Sequence, residues 1–293
     1  MRRLLAIAGV LIVAGLIGLV AIILWPIGRD EPEIALEGNV RDGAYLARAA
    51  GCISCHSREG GEVLGGGAPL VTDFGTFHPP NISPDPEAGI GGWSVAQFAK
   101  AVRQGISPEG HPYYPAFPSA FYAAFTDQQI ADLHAALGSV PAVAEPAPPH
   151  EVGFPFDQRW GLKLWRAAFE HAPDVAPVEG RSEAWNRGKE LAEGASHCAA
   201  CHTDRNFVGG LIESRHFAGS DDLPGGERAP AILPAALAED GWDVDALTDA
   251  LASGMMPDGD TFGGAMAEVV AGGTTFLTEE DRRAIATYLM EGR

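Results

Sequence analysis

The sequence predicts a mainly α-helical chain in which one N-terminal transmembrane helix precedes two tandem domains of similar design. Three observations support this prediction. An uninterrupted apolar run opens the 293-residue chain, the pattern C-x-x-C-H occurs twice, and the spacing of the landmarks that follow the first copy recurs after the second. A chain of this length accommodates two modest domains, because domains commonly contain about 100–150 residues.

The chain is strongly acidic. It contains 39 Asp and Glu residues against 20 Lys and Arg, which gives a formal net charge of −19. Nucleic-acid binding depends on basic side chains that neutralise phosphates, so this charge argues strongly against a nucleic-acid partner. It favours a docking partner that has a basic surface.

The first predicted element is a membrane helix. The run from Leu4 to Trp25 is apolar throughout and is long enough to span the hydrocarbon core of a bilayer. The two arginines before it mark its start as cytoplasmic. A cleaved signal peptide is the competing interpretation, but residues 27–30 offer no small-x-small cleavage site. We therefore expect residues 1–27 to be an uncleaved single-pass anchor, with the rest of the chain on the far side of the membrane.

The two C-x-x-C-H patterns are the chemically informative part of the sequence. They read Cys52-Ile53-Ser54-Cys55-His56 and Cys198-Ala199-Ala200-Cys201-His202. Two thiols at this spacing can form thioethers to the vinyl groups of a haem, while the adjacent imidazole reaches the iron from the same side. The sequence thus predicts two covalently bound haem c groups, attached through Cys52, Cys55, Cys198 and Cys201, with His56 and His202 as iron ligands.

Two other chemistries use C-x-x-C pairs. Structural zinc requires a third and a fourth ligand at their own spacing, and a thioredoxin-like redox pair needs no histidine after the second cysteine. The chain has only four cysteines, and the two patterns use all of them. Haem attachment is therefore the favoured interpretation. In bacteria it takes place in the periplasm, which is where the anchor would place both domains.

The segments around the two patterns form an internal repeat. Each pattern follows a predicted helix, and the second copy has one extra residue between that helix and the motif. The interval from Trp93 to Gly105 equals that from Trp242 to Gly254, and Thr126 and Thr278 each stand as the N-cap of a final helix. This layout is that of a small class I cytochrome c domain, so we predict one such domain over residues 32–140 and a second over 181–293.

The segment between the units, residues 141–180, is predicted to be a linker followed by a helix. It begins with a proline-rich stretch, typical of an extended and semi-rigid spacer. Apolar residues at helical spacing follow between Asp157 and His171. That helix either bridges the two domains or caps one of them.

The ligand on the other side of each iron has more than one candidate. In the second unit Met266 lies in the loop before the final helix, where class I cytochromes place their axial methionine, and Met256 is the alternative. The first unit contains no methionine after the start codon. Its candidates are His111 and His78, with an open iron or a distant ligand such as His150 as further alternatives.

Two consequences follow from these assignments. Methionine ligation raises a haem potential relative to bis-histidine ligation, so the first haem is expected to have the lower potential and to receive electrons before the second. Prolines after each motif, Pro69 and Pro230, are hypothesised to accept a hydrogen bond from the proximal imidazole through their carbonyl groups.

With these residues in view, the chain resembles the membrane-anchored cytochrome c subunits of periplasmic alcohol, aldehyde and gluconate dehydrogenases. The resemblance rests on five stretches: Phe74-Gly75-Thr76-Phe77, Asn81-Ile82-Ser83-Pro84-Asp85, Tyr114-Pro115-Ala116-Phe117-Pro118, Gly264-Ala265-Met266-Ala267-Glu268 and Leu277-Thr278-Glu279-Glu280-Asp281. Those subunits typically have three haem motifs and a methionine where Phe117 stands, and this chain departs from them in both respects.

The resemblance implies electron transfer rather than substrate chemistry. We expect a carrier on the periplasmic side of the inner membrane that passes single electrons between a dehydrogenase or cytochrome bc-type complex and a terminal oxidase or soluble acceptor. The alternative is a dihaem enzyme, of the peroxidase or thiosulfate-oxidising type, in which the first haem is open or labile. A haem sensor would need a cytoplasmic output domain, which we do not expect before the anchor.

Overall fold

The computed structural model describes residues 2–293, and the prediction of a mainly helical chain is confirmed. Helix α1 (Arg2–Leu24) is long and apolar enough to cross a membrane, and its apolar side chains are exposed. A membrane anchor and a signal sequence both fit these features. The ammonium of Lys163 donates hydrogen bonds to the carbonyl oxygens of Ile22, Ile23 and Trp25 at 3.2, 2.8 and 2.7 Å, which satisfies carbonyl groups at the C-terminal end of this helix.

The first unit is a set of helices around one small hairpin. Its elements are α2 (Val40–Ala49), α3 (Cys52–His56), the antiparallel pair β1 (Leu70–Thr72) and β2 (Gly75–Phe77), α4 (Val95–Gln104), α5 (Ser119–Tyr122) and α6 (Asp127–Gly138). Thr126 caps α6 as predicted, and Ser94 caps α4, each in a full capping box. These caps fix where α4 and α6 begin.

The connecting segment lies against the first unit and ends in α7 (Arg159–Phe169). The side-chain amide of Asn81 donates to the carbonyl oxygens of Val143 and Glu145, so the proline-rich stretch is held in place. Helix α7 contacts both units. Arg166 donates to the Gly105 carbonyl at 2.9 Å, and the Trp165 indole donates to the Val208 carbonyl at 2.7 Å.

The second unit repeats the order of the first. Its elements are α8 (Glu183–Lys189), a π-helical turn (Glu190–Ala195), α9 (Ala199–His202), β3 (Ser220–Leu223), β4 (Glu227–Ala229), α10 (Pro234–Glu239), α11 (Val244–Ser253), α12 (Gly264–Gly272) and α13 (Glu279–Glu291). Thr278 caps α13 as predicted. The π-helical turn absorbs the one extra residue that the sequence places before the second motif, because a π-helix is wider than an α-helix by about one residue per turn.

In each unit the helix before the motif crosses the last helix at a glycine. A Cβ atom on Gly43 would overlap the carbonyl oxygen of Asp132 in α6, and one on Gly188 would overlap that of Ala284 in α13. The backbones therefore approach closely, and only glycine fits at these two positions.

We expect Gly43→Ala to destabilise the protein by about 1–3 kcal/mol, since the added methyl group has to push α2 and α6 apart. Gly138→Ala is the matched control, because a Cβ there meets no other atom within 4 Å. Alanine also favours a helix over glycine, so the control should be neutral or slightly stabilising. Denaturant unfolding followed by circular dichroism measures both. Equal midpoints for Gly43→Ala and the wild type would contradict the close approach.

The two units pack together through α2 and α3 of the first and α12 and α13 of the second. The Tyr45 hydroxyl donates to the Asp281 carboxylate at 2.6 Å, and the same carboxylate accepts from Arg187 at 2.8 Å. Arg48 donates to the Gly272 carbonyl at 3.1 Å. Desolvation is the largest single influence on Asp281 and opposes its ionisation, but the hydrogen bonds from Arg187 and Tyr45 and the charge of Arg187 together outweigh it and leave the pKa of this carboxyl below its usual value.

Candidate haem-binding sites

Both C-x-x-C-H patterns form short helices. In the first unit α3 starts after Gly51, which adopts a left-handed conformation with φ of +68°, and ends at His56. In the second unit α9 ends at His202. The two thiols of each motif are thereby one turn apart, with the imidazole next to the second thiol. This is the arrangement that thioether attachment to a haem edge requires.

The thiols lie in apolar surroundings. Burial, followed by the neighbouring Cys55, raises the pKa of Cys52 to about 12, and burial also raises that of Cys198 to about 12. Redox-active C-x-x-C pairs have a lowered thiol pKa instead. Within residues 2–293 no group of three or more His, Cys, Asp and Glu side chains is placed to hold a metal ion. The geometry thus favours neither the redox nor the zinc interpretation.

The imidazole of each motif is fixed by a backbone carbonyl. Nδ1 of His56 lies 2.8 Å from the Pro80 carbonyl oxygen, and Nδ1 of His202 lies 2.8 Å from that of Pro230. When Nδ1 carries the proton and donates it to the carbonyl, Nε2 is left unprotonated and free to bind iron. The hypothesis for Pro230 is confirmed. That for Pro69 is wrong, because the corresponding carbonyl in the first unit belongs to Pro80.

The loop that precedes α12 places Met266. The chain makes a tight turn in which the Met256 amide donates to the Asp260 carbonyl and the Phe262 amide donates to the Gly254 carbonyl, both at 2.8 Å. Met266 follows in the first turn of α12, half-buried against the hydrophobic core. Met256, the alternative ligand, is half-buried as well, whereas Met255 is 57% exposed. Burial alone therefore leaves both Met266 and Met256 as candidate ligands.

The first unit contains the same turn with a different residue at the ligand position. The Ser107 amide donates to the His111 carbonyl at 2.9 Å, and the Tyr113 amide donates to the Gly105 carbonyl at 2.8 Å. Since Tyr113 corresponds to Phe262, counting four residues on places Phe117 where Met266 stands. Phe117 packs edge-on against Tyr113, with ring centroids 5.8 Å apart, and its side chain cannot bind iron.

The two histidines predicted as candidate ligands of the first iron occupy different surroundings. His111 is exposed in the turn and corresponds to Asp260 of the second unit. His78 follows β2, and its Nε2 lies 3.1 Å from the Glu151 carboxylate. Its backbone amide donates to Nδ1 of His150 at 3.1 Å. His78 thus contacts the connecting segment, whereas His111 is part of the turn itself.

Sequence reasoning missed one half-buried histidine. His197 directly precedes Cys198, and its ring lies near Tyr122 of the first unit, with ring centroids 5.8 Å apart. The one extra residue before the second motif was the sequence signal that could have pointed to His197, because an added residue changes the path of the backbone into Cys198.

Comparison with known proteins identifies the family. Residues 40–140 match the cytochrome c family model. The chain is 43% identical over 273 residues to a protein of Cereibacter sphaeroides named diheme cytochrome c-type, and the match covers 89% of both chains. It is 35% identical to the cytochrome c subunit of the quinone-dependent alcohol dehydrogenase of Gluconacetobacter polyoxogenes, and 36% identical to that of the gluconate 2-dehydrogenase of Pantoea cypripedii.

The matches to the two dehydrogenase subunits cover 85% and 89% of this chain, but only 55% and 60% of those subunits. The chain thus spans little more than half of their length. The resemblance read from the sequence is confirmed, as are the cytochrome c fold and covalently bound haem c as the cofactor. The dihaem enzyme considered as an alternative finds no support among these relatives. Taken with the two motifs, their proximal hydrogen bonds and the match along nearly all of the Cereibacter protein, these findings show that the chain belongs to the dihaem c-type cytochromes.

Proposed function

We propose that this cytochrome is the membrane-anchored electron-transfer partner of a periplasmic dehydrogenase. The observation that carries the proposal is the paired geometry of the two motifs, in which each proximal imidazole is oriented for iron by a carbonyl group at 2.8 Å. The relatives named as cytochrome subunits of alcohol, gluconate and fructose dehydrogenases support a dehydrogenase as electron donor.

The residues proposed to hold the haems are those of the two motifs together with Met266. Cys52 and Cys55 would attach the first haem, in a domain over residues 32–140, and His56 would bind its iron. Cys198 and Cys201 would attach the second haem, in a domain over 181–293, with His202 and Met266 as its two axial ligands. Bound in this way, a haem supplies a one-electron redox centre.

The protein's own contribution is to make the two centres different. Met266 at one ligand position and Phe117 at the equivalent one imply a higher potential for the second haem. Electrons would therefore enter at the first unit and leave from the second. The acceptor would be a terminal oxidase or a soluble carrier, and a cytochrome bc-type complex is the alternative donor.

The proposed location is the periplasmic face of the inner membrane, with α1 retained as the anchor. In favour of retention, Lys163 in α7 caps the C-terminal end of α1, so the helix is joined to the folded body by three hydrogen bonds. Immunoblotting of membrane and periplasmic fractions tests this point. A shortened chain in the soluble periplasm would show that α1 is removed.

The function is tested in membranes of the native cell. Adding an alcohol, aldehyde, gluconate or fructose should reduce the cytochrome in wild-type membranes, followed as the rise of its reduced-haem absorption. The double variant Cys198→Ser, Cys201→Ser should lose reduction of the second haem and transfer to the acceptor. No reduction by any dehydrogenase substrate, or turnover of hydrogen peroxide by the purified protein, would contradict the proposal.

We also expect the reaction with the partner to depend on salt. The surface is acidic overall, and no lysine occurs after Lys189, so a basic partner surface would be attracted over distances comparable to the Debye length. That length falls from about 30 Å at 0.01 M salt to about 8 Å at 0.15 M. The second-order rate constant should fall steeply over this range, whereas reduction by a small uncharged reductant should not. A flat profile for the protein partner would rule out electrostatic docking.

A further inference from the structure

We propose that His197 carries electrons between the two haem sites. The inference rests on the proposed function and adds a route inside the molecule. It concerns a residue that neither attaches a haem nor binds iron in the assignment above.

His197 is bonded directly to Cys198, and its position is unusual in two ways. Its backbone has φ of +38°, in the left-handed region, which is unfavourable for a residue other than glycine. Its Nδ1 lies 2.9 Å from the Ala195 carbonyl oxygen, the last residue of the π-helical turn. Strained backbone of this kind tends to occur at functional sites, where the surrounding structure holds it in place.

The imidazole of His197 crosses from the second unit into the first. Its Cε1 and Nε2 atoms are 3.4 and 4.0 Å from the position that a Cβ atom would take on Gly51. Gly51 is bonded to Cys52, the first attachment residue of the other haem. A Cβ atom there would be in ordinary van der Waals contact with the ring, so the imidazole lies about one side-chain carbon away from the backbone that leads into this motif.

Aromatic side chains of the first unit hold the ring in this position. Phe121 and Tyr122 have ring centroids 6.0 and 5.8 Å from that of His197, and Tyr122 donates from its hydroxyl to the Ala50 carbonyl at 2.7 Å. Burial lowers the pKa of His197, so the imidazole is neutral. The proton is then on Nδ1, bonded to Ala195, and the unprotonated Nε2 is next to Gly51.

These contacts make a short route between the two attachment sites. It runs from Cys52 along the backbone to the Ala50 carbonyl, through its hydrogen bond with the Tyr122 hydroxyl, and across the ring contact to His197, which is bonded to Cys198. Electron tunnelling decays more slowly through bonded and closely packed atoms than across a gap. This route should therefore speed electron exchange between the haems.

The test uses the full-length protein with both haems, purified in detergent. A brief photochemical pulse reduces one haem per molecule, and the redistribution of the electron to the higher-potential haem is followed by absorption. His197→Gly removes the ring and suits the positive φ, so the variant should fold. His197→Phe keeps a ring in the same place, and His171→Ala controls for loss of an exposed histidine that has no proposed role at either haem.

We expect a severalfold slower redistribution in His197→Gly and near wild-type rates in His197→Phe and His171→Ala, with haem spectra and potentials unchanged. An unchanged rate in His197→Gly would overturn the proposal, and so would a slower rate accompanied by an altered spectrum of either haem, which would indicate a merely structural role. Two haems of equal potential in the wild type would instead count against the proposed direction of electron flow, so the two failures are distinguishable.

Discussion

Phe117→Met should raise the midpoint potential of the first haem and bring it towards that of the second. The new thioether would stand where Met266 stands in the second unit, at the fourth residue after the equivalent Tyr113 and Phe262. Axial ligation shifts haem potentials within a total range of about 0.8 V, so a change of ligand is the largest single effect available at this site. A spectroscopic redox titration measures it, and near-infrared magnetic circular dichroism identifies the ligand.

The reciprocal variant should act in the opposite direction. Met266→Phe removes the proposed thioether and should lower the potential of the second haem. Phe125→Met places a methionine at another buried position of the first unit and should leave both potentials unchanged. Unaltered potentials in both Phe117→Met and Met266→Phe would refute the assignment of this loop position as the axial ligand site.

The same titration separates the candidates for the first iron. His111→Ala or His78→Ala should convert a low-spin first haem to high spin if that histidine is its ligand. An iron that is high-spin already in the wild type, and that becomes low-spin in Phe117→Met, would identify the first site as lacking a sixth protein ligand. Each result follows from where the structure places these side chains.

Removing the attachment thiols of one unit should abolish the fold of that unit. Cys52→Ser, Cys55→Ser should retain one haem per chain and lose the protease resistance of residues 32–140. The loops of this unit are rich in glycine and proline, and a structural prosthetic group contributes its binding free energy to folding. Cys52 is half-buried, Cys55 is exposed, and His56 lies in a desolvated position; without a haem attached there, the side chains that would pack against it lose that partner.

Limited proteolysis, the haem-to-protein ratio and far-ultraviolet circular dichroism measure this effect. Cys198→Ser, Cys201→Ser is the matched variant, and it should expose the second unit instead. A first unit that stays protease-resistant without its haem would show that the protein part is stable alone.

Periodic features of the sequence predicted the fold well. The helix before each motif, the caps Thr126 and Thr278, and the repeat spacing all reflect local rules that depend on a few neighbouring residues. The carbonyl partner of His202 was also found this way. The partner of His56 was not, because several prolines follow that motif, among them Pro69, Pro79 and Pro80, and chain spacing alone cannot tell which one returns to the imidazole.

Contacts between the units could not be predicted from one sequence. His197 approaches Gly51, which is about 150 positions earlier in the chain. The hydrogen bond from Tyr45 to Asp281 joins residues 236 positions apart. The repeat pattern describes each unit by itself and contains no information about how one packs on the other. The extra residue before Cys198 was visible in the sequence, but its consequence, a π-helical turn with a strained histidine, is a property of the folded backbone.

The hydrogen bonds between Lys163 and the C-terminal end of α1 affect how this cytochrome meets its partners. A cation at a helix C-terminus interacts favourably with the helix dipole, by about 0.3–1 kcal/mol, and here it also makes three hydrogen bonds. With α1 as the proposed anchor, the globular body would lie close to the bilayer instead of moving at the end of a long flexible linker. Encounters with a membrane-bound partner would then occur by lateral diffusion at a nearly fixed height, and the short tether would raise the effective concentration of each for the other.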